Sequence, residues 1–264
     1  MREFFNYIRA DFIKTKHLSI RIAHIAIPIG TATAFLTYYA YASWDGYTKV
    51  ATYYQVLGAG FPTLIGLFCA MLVEQELSAG SFQNMLSVSK RPVAFFSKLL
   101  VLTLFGMGAV LLASAMVGVG HFCFLGQRYI QYSFYIEAAF VVMESNLFLY
   151  ILHMFLALRF NKGVTIGLGI VESLLSALFL TRLGDGIWIF FPPAWASRFV
   201  TKLLQRISTY DIISPDAAVW AVKIAGQFLI DWEAAIIICA AMTAIGISAF
   251  GIWACRWDGI YGIE

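Results

Sequence analysis

Four ionisable side chains lie inside long apolar stretches of this sequence, where charged groups are rare. Glu137 and Glu144 lie in one stretch, His153 lies further along it, and Glu172 lies in the next. An ionised group at bilayer depth costs roughly 2.5 to 3.5 kcal/mol, so such groups usually face a protein interior or a wet cavity. Glu137 and Glu144 are two helical turns apart and therefore share one face. That face predicts a lining for a cationic or amphipathic substrate, with hydration of Glu137 and a hydrogen bond from Glu144 to a neighbouring helix as the structural alternative.

Motifs for catalysis and nucleotide binding are absent from the sequence. It contains no phosphate-binding loop, no zinc-protease motif, no serine-hydrolase elbow and no dinucleotide-binding turn. The four cysteines fall within or at the ends of apolar stretches and form no Cys-x-x-Cys pair. We therefore expect no catalytic residue, no metal site and no cofactor bound by this chain.

The composition is that of an integral membrane protein. Hydrophobic residues make up 61% of the chain and charged residues 12%, and the mean hydropathy is +0.79, far from a soluble globular composition. A membrane-spanning helix needs about 20 mostly apolar residues. Six stretches satisfy this, at residues 20–41, 53–73, 99–125, 134–158, 164–183 and 228–254. The sequence thus predicts an all-α fold with six spans in one transmembrane domain over residues 1–264.

The distribution of basic residues predicts that both termini are cytoplasmic. Lys and Arg in short loops stay on the cytoplasmic side, and an inside N-terminus places nine of them there, against Lys49 and Arg128 outside. The exception is the long segment 184–227, which we expect outside because long translocated loops escape the rule. The net charge of +3 is explained by this topology and requires no nucleic-acid partner.

Two segments outside the spans show helical amphipathicity. In residues 1–19, the apolar residues Phe4, Phe5, Ile8 and Phe12 recur at helical spacing, which predicts a helix in the membrane interface, with a plain extension of the first span as the alternative. Between the second and third spans, the polar segment 74–98 predicts a short cytoplasmic amphipathic helix.

The segment 184–227 carries aromatic residues followed by basic ones. Trp188, Phe191 and Trp195 are expected to place their rings at the outer membrane interface, on an amphipathic helix that rests on the outer leaflet. The excess positive charge of this segment gives it no attraction for a cationic ligand, so we interpret these rings as interfacial anchors.

The combination of these features resembles the permease subunits of type-2 ABC transporters. The resemblance rests on the N-terminal helix, the six spans and the pattern Glu74-x-Glu76-x-x-x-Gly80 followed by Lys90-Arg91-Pro92 and Lys98. Residues 183–195 are similar to the outer segment of lantibiotic-immunity permeases of the MutG kind.

This resemblance implies a division of labour between subunits. Two permease chains, often different ones, dock on a pair of ATPase subunits that bind ATP and Mg, and the complex expels a cationic amphipathic antimicrobial peptide from the bacterial plasma membrane. The helix that begins near Glu74 would insert into a groove of the ATPase, while Lys90, Arg91 and Lys98 lie at the lipid surface. The residues expected to couple to the ATPase are Glu74, Gln75, Glu76, Gly80, Lys90, Arg91 and Lys98.

Two other functions remain open at this point. The same architecture could export another cargo, such as a drug, a lipid or a polysaccharide. A stand-alone secondary transporter using Glu137, Glu144 and Glu172 is the third hypothesis, disfavoured because no inverted repeat of spans is visible.

Overall fold

The computed structural model describes residues 2–17, 19–88, 91–126, 130–211 and 218–259, with side chains at all of these except 2, 17, 207–211 and 218–231. Over this part of the chain all regular structure is helical, which confirms the predicted class. Short 3-10 turns cover Thr15–His17, Arg182–Gly184 and Trp188–Phe190. The α-helices are α1 (Arg2–Lys14), α2 (Ser19–Tyr41), α3 (Gly46–Ser78), α4 (Gln83–Leu86), α5 (Arg91–Cys123), α6 (Tyr132–Ser145), α7 (Leu147–Arg159), α8 (Lys162–Phe179), α9 (Pro192–Asp211) and α10 (Ala218–Arg256).

Six helical units are long and apolar enough to span a membrane, as predicted. They are α2, α3, α5, the pair α6 and α7, α8, and the Trp232–Arg256 part of α10. The fourth span is broken at Asn146, whose buried amide donates to the Val142 carbonyl at 2.7 Å. α3 and α5 each have 33 residues, or about 50 Å at 1.5 Å per residue, against roughly 30 Å of hydrocarbon. Both helices therefore extend beyond the membrane and carry polar groups there.

α3 is the central helix of the bundle and packs against α7, α8 and α9. Polar side chains join it to α8, where the Thr63 and Ser173 hydroxyl oxygens lie 2.7 Å apart. A Cβ atom on Gly58 would lie 2.7 Å from the Ser197 backbone nitrogen on α9, and one on Gly169 would lie 2.7 Å from the Pro62 carbonyl. The glycines thus allow the backbones to approach closely, as is usual between helices in lipid.

The ends of several helices meet at the end of the bundle where α1 lies, which we call the α1 end. The last turn of α3, the first turns of α5 and α8, and the residues that follow α10 all lie there. At the opposite end, Asp45 begins α3 and accepts bonds from the Thr48 hydroxyl at 2.5 Å and its backbone N–H at 3.0 Å. The hydroxyl bond and then the backbone bond lower the pKa of Asp45.

The structure corrects the prediction for the segment after the fifth span. Trp188 and Trp195 are 2% and 0% exposed, and the Trp195 indole donates to the Ile189 carbonyl at 2.8 Å. α9 packs between α3, α6 and α8 rather than resting on a lipid surface. Of the three predicted anchors only Phe191 is exposed. Aromatic content alone could not distinguish a ring at the interface from a ring in the core. The part of the segment at residues 212–217 lies outside the described residues.

The close approach of α3 to α9 predicts that Gly58→Ala destabilises the fold. The added methyl group would meet the Ser197 backbone, which cannot rotate away, and such overpacking costs about 1 to 3 kcal/mol. Gly60→Ala is the matched control, because nothing lies within 4 Å of a Cβ atom there. Thermal unfolding in detergent should show a lower midpoint for Gly58→Ala and no loss for Gly60→Ala. Equal midpoints would contradict the close approach.

Candidate functional site

Four charged side chains meet at the α1 end and form what we call the charge cluster: Asp11, Lys14, Glu76 and Lys98. The Lys98 ammonium lies 2.7 Å from Asp11 Oδ1 and 2.6 Å from Glu76 Oε1. The Lys14 ammonium lies 2.8 Å from the same Glu76 oxygen. The Ser97 hydroxyl donates to the other oxygen of Asp11. The cluster joins α1, α3 and α5 through side chains alone.

The charge cluster is largely closed to solvent. Glu76 is 2% exposed and Lys98 is 3% exposed, whereas the Lys14 side chain is 35% exposed. Two carboxylates face two ammonium groups, so the formal charges balance. Glu76 Oε2 is buried without a hydrogen-bond partner. Buried charges persist only when they are paired, and removing one partner leaves the other uncompensated. The three helices are therefore held in one arrangement.

Local sequence explains how the cluster forms. Asp11 and Lys14 are three residues apart on α1 and therefore share a face. Glu76 lies in the last turn of α3, and Lys98 lies two turns into α5, which runs back alongside. The predicted N-terminal helix is present as α1, and it turns its polar edge to the other helices while Phe5 and Ile13 are exposed.

The structure divides the segment 74–98 into three parts. Glu74 to Ser78 complete α3, Arg91 to Lys98 begin α5, and only the four-residue helix α4 lies between them. The single amphipathic helix expected there is therefore much shorter. The prediction that Lys98 lies at the lipid surface is wrong, because its ammonium is held by two carboxylates. Lys90 lies outside the described residues.

The turn between α3 and α4 has an unusual backbone. Gly80, Ser81 and Phe82 have positive φ angles of 133°, 49° and 64°. Residues other than glycine rarely adopt positive φ angles. Gly80 thus ends α3, while Phe82 turns inward and is 1% exposed. The side chains of Gln83 and Asn84 on α4 are exposed. Together with the exposed turn at residues 78–81, these two amides form a surface that a partner can reach.

The remaining predicted residues of this segment surround the charge cluster. The Gln75 amide donates to the Lys14 carbonyl at 3.2 Å. Glu74 forms an exposed ion pair of 2.6 Å with Lys162 at the start of α8. Arg91 donates to the Trp257 carbonyl at 2.6 Å, beyond the end of α10. The segment is thus bonded to α1, α8 and the α10 end at once.

The three intramembrane glutamates do not form one site. Glu137 and Glu144 are both exposed on α6, on the face that also exposes Ile136 and Phe140. Glu172 is 6% exposed and lies 2.7 Å from His153 Nε2, between α8 and α7. The structure therefore keeps Glu172 apart from the other two and gives it a histidine partner within the protein.

Sequence reasoning missed the part of Asp11 in the charge cluster. The available signal was the position of Asp11 between the basic residues Arg9 and Lys14 on an amphipathic helix, where Glu3 is the other acidic residue. Phe82 and Trp257 carried no signal, because one is an aromatic residue in a polar turn and the other follows the last span. Their roles depend on packing between distant segments.

Two spaces in the described part of the bundle lack the features of a catalytic pocket. A groove of about 690 Å³ between α2 and α5 is lined mainly by apolar side chains, with Thr33, Thr37 and Tyr41 as its hydroxyl groups and no carboxylate or amine. A smaller space of about 30 Å³ lies between α2, α3 and α5. No group of three or more metal-ligating side chains occurs in the part of the chain that was described. The charge cluster can hold α1, α3 and α5 together and transmit force between them.

Comparison with known proteins identifies a family. A family model described as "ABC-2 family transporter protein" matches residues 7–177, well over half of the 264 residues. This range includes the second half of α1, the charge cluster and the spans through most of α8. No curated protein and no solved structure matches the chain.

The burial of the charge cluster predicts that substitution of Glu76 lowers the stability of the fold much more than substitution of Glu74. Glu76→Gln should lower the free energy of unfolding by about 3 to 5 kcal/mol, because Lys98 and Lys14 lose a buried counter-charge. Glu74→Gln breaks only an exposed pair with Lys162, worth about 0 to 1 kcal/mol. Thermal unfolding of the purified variants should show a large fall in midpoint for Glu76→Gln alone. Similar midpoints would mean that the cluster does not stabilise the junction.

Proposed function

The chain belongs to the ABC-2 family of transporter proteins, and we propose that it is one permease subunit of an ATP-driven exporter that expels a cationic amphipathic antimicrobial peptide, a lantibiotic, from the membrane. The family and the six apolar helices make it a multi-pass membrane protein and a transport component rather than an ATPase. The same membership implies an ATPase partner. The peptide cargo and the arrangement of subunits are the proposal.

The observation that carries the proposal is the charge cluster behind an exposed short helix. A membrane subunit without a nucleotide-binding motif must receive work from another subunit. Here the reachable element, α4, is continuous through short connections with α3 and α5, and Glu76, Asp11 and Lys98 fix those helices to α1. A push on α4 would therefore move three helices together rather than bend one loop.

The orientation proposed from the sequence agrees with the position of this junction. The α1 end carries the described basic residues Arg9, Lys14, Lys16, Arg91, Arg159 and Lys162. Positive charge favours the cytoplasmic side of a bacterial plasma membrane, where ATP is available. Both described ends of the chain, α1 and the residues after α10, lie at this end of the bundle. The proposal therefore places α4 where an ATPase can dock.

The proposal includes the following partners. An ATPase dimer would bind ATP and Mg, and a second permease, a different chain, would complete the pathway. The proposal involves the lipid membrane and a peptide substrate, and no nucleic acid.

Two features support a cationic peptide as the cargo. Residues 183–195 resemble the outer segment of lantibiotic-immunity permeases, and they lie beyond the matched range 7–177. Glu137 and Glu144 are exposed on a face of the fourth span, where carboxylates are costly unless they meet water or a cation. A cationic amphipathic peptide would supply that cation. A neutral drug, an anionic lipid or a neutral polysaccharide offers no such match to two carboxylates.

Co-purification of this chain with its native partners tests the class of machine directly. We expect a Walker-type ATPase and a second membrane chain in the sample, with ATP hydrolysis stimulated by a cationic lantibiotic. Transport driven by an ion gradient in the purified single chain would overturn the proposal. If ATP hydrolysis responds only to another cargo, the chain is still an ABC permease subunit but its cargo is not a cationic peptide.

The exposed position of α4 predicts that Asn84→Trp weakens docking of the ATPase. The indole adds bulk at the reachable surface without disturbing the buried Phe82 or Met85. Ser133→Trp is the matched control, because Ser133 is exposed on α6 at the opposite end of the bundle. The amount of ATPase retained on the tagged permease should fall about tenfold or more for Asn84→Trp, equivalent to about 1.4 kcal/mol. Equal retention would remove α4 from the docking surface.

The exposed carboxylates predict a loss of resistance in Glu144→Gln. A bond from a cationic group to a carboxylate contributes about 1.5 to 3 kcal/mol, so resistance of cells to a panel of cationic lantibiotics should fall about tenfold or more. Expression should be unchanged because the side chain is exposed. Glu3→Gln is the control with the same chemistry, because Glu3 is exposed on α1 and lies outside the proposed peptide route. Unchanged resistance in Glu144→Gln would return Glu144 to a structural role.

A further inference from the structure

Two aromatic contacts, separated along its length, hold α10 against the bundle together with its packing on α7. Its exposed apolar residues include Ile236, Ile237, Ile245, Ile247 and Ile252. Its described buried residues are few, namely Ala235 in one half and Phe250 and Ala254 in the other, with Trp257 just beyond its end. Between the two aromatic contacts α10 lies against α7, where a Cβ atom on Gly246 would lie 3.2 Å from the Phe148 ring.

The first contact lies at the α1 end, and we call it the Trp257 cluster: Phe82, Phe95, Trp253 and Trp257. Trp257 is 4% exposed, and its ring packs edge-on against Phe82 at 5.1 Å and Phe95 at 5.3 Å between centroids. Trp253 lies 6.0 Å from Trp257 and 5.9 Å from Phe95. Edge-to-face pairs at these distances are favourable beyond their buried area. The cluster connects the end of α10 to the turn before α4 and to α5.

The backbone of Phe82 indicates that this contact is built at a cost. Its φ angle is 64°, in a region that residues with a side chain rarely adopt. The conformation persists because the ring is enclosed by protein. Such outliers often occur where a structure transmits a change.

Two further contacts fix the same turn to the end of α10. The Arg91 guanidinium donates to the Trp257 carbonyl at 2.6 Å. A Cβ atom on Gly259 would lie 2.7 Å from Leu86 Cδ1 on α4, and Gly259 has a φ angle of 87°. α4 is thus covered on its inner side by the chain that follows α10.

The second contact lies in the other half of α10, at the Trp188 cluster: Trp188, Trp195, Phe199 and Trp232. Trp232 packs edge-on against Phe199 at 5.4 Å, and Phe199 packs against Trp188 at 5.5 Å. Trp232 and Trp257 are 25 residues apart, or about 38 Å along a helix. α10 therefore connects the turn before α4 with the buried aromatic residues that precede and begin α9.

We propose that Phe82 and Trp257 are positioning residues that make α10 move with the 74–98 segment, so that a displacement of α4 reaches the Trp188 cluster. This inference rests on the proposed function, in which an ATPase displaces α4. The charge cluster carries the displacement into α1, α3 and α5. The Trp257 cluster carries it into α10, which has no direct chain connection to the segment. A helix that contacts both aromatic clusters can carry a displacement from one to the other.

Distances between nitroxide labels test whether α10 follows the segment. The complex with its ATPase would carry label pairs at Asn84 and Ile252, and at Ile252 and Leu174, all exposed, with the native cysteines replaced. The ATPase is supplied in excess, so that a label at residue 84, on the proposed docking surface, does not leave the permease unoccupied. Between the nucleotide-free state and the state trapped by ATP and vanadate, the distance from residue 84 to residue 252 should stay the same. The distance from residue 252 to residue 174 on α8 should change.

Substitutions separate packing from coupling. Phe82→Gly removes the ring but accepts the φ angle, so it should fold, broaden the distance from residue 84 to residue 252, and reduce cargo-stimulated ATP hydrolysis at least about tenfold. Trp257→Ala should do the same, while Trp257→Phe retains an aromatic ring and most of the stimulation. Ser81→Gly relieves a neighbouring φ of 49° without removing a ring, and Trp44→Ala removes an exposed tryptophan at the opposite end. Both controls should behave as the unmodified protein.

The outcomes distinguish this inference from the proposed function. If no ATPase accompanies the unmodified chain, the proposed function fails and the inference fails with it. If the ATPase is present and stimulated by cargo, but residues 84 and 252 separate on trapping, α10 moves independently and only the inference is overturned. Full stimulation in Phe82→Gly and Trp257→Ala would also overturn it.

Discussion

The pairing of the Lys98 ammonium with Asp11 and Glu76 is the interaction on which the working end of this protein depends. A lysine in this position cannot reach water, and neither carboxylate can be left without a counter-charge. The three helices that supply these groups must therefore keep one arrangement whenever the protein is folded. An apolar contact would tolerate sliding between the helices, whereas two ion pairs below 3 Å on one ammonium do not. The rigidity of the α1 end follows from this requirement.

The packing of the helices divides the bundle into a tightly held part and a loosely held part. α3 is enclosed by α7, α8 and α9, with glycines at the points of closest approach. α10 lies at the edge, where the Trp188 cluster contacts it near its middle at Trp232 and the Trp257 cluster contacts its end. Close packing in lipid depends on shape, because the surrounding acyl chains are as apolar as the side chains. α10 also has small residues at its contacts, since Gly246 faces Phe148 and Gly251 faces Phe96, but it buries much less of its described surface than α3 does.

The intramembrane glutamates show how position gives one residue type two roles. Glu172 lies 2.7 Å from His153 and is buried, so its carboxylate has a partner within the protein. Glu137 and Glu144 are exposed on α6 and have no such partner among the described residues. Their environment must come from water, a second chain or a ligand. This difference supports a cationic cargo on the α6 face and weakens the hypothesis of a single carboxylate pathway for protons.

The sequence by itself determined the all-α class, the six spans and the location of the segment between the second and third spans, because each depends on local hydropathy and on the length needed to cross a bilayer. It also determined that Glu137 and Glu144 share a face, since that follows from helical periodicity alone. Tertiary structure decided which charged residues of the 74–98 segment are reachable. Glu76 and Lys98 have the same local appearance as Glu74 and Lys162, yet one pair is buried and the other exposed, because only the first is covered by α1. Tertiary structure likewise placed Trp188 and Trp195 in a core rather than at an interface, and brought Phe82 to Trp257 across 175 residues. These outcomes depend on contacts between segments far apart in the chain, which no local pattern of residue types encodes.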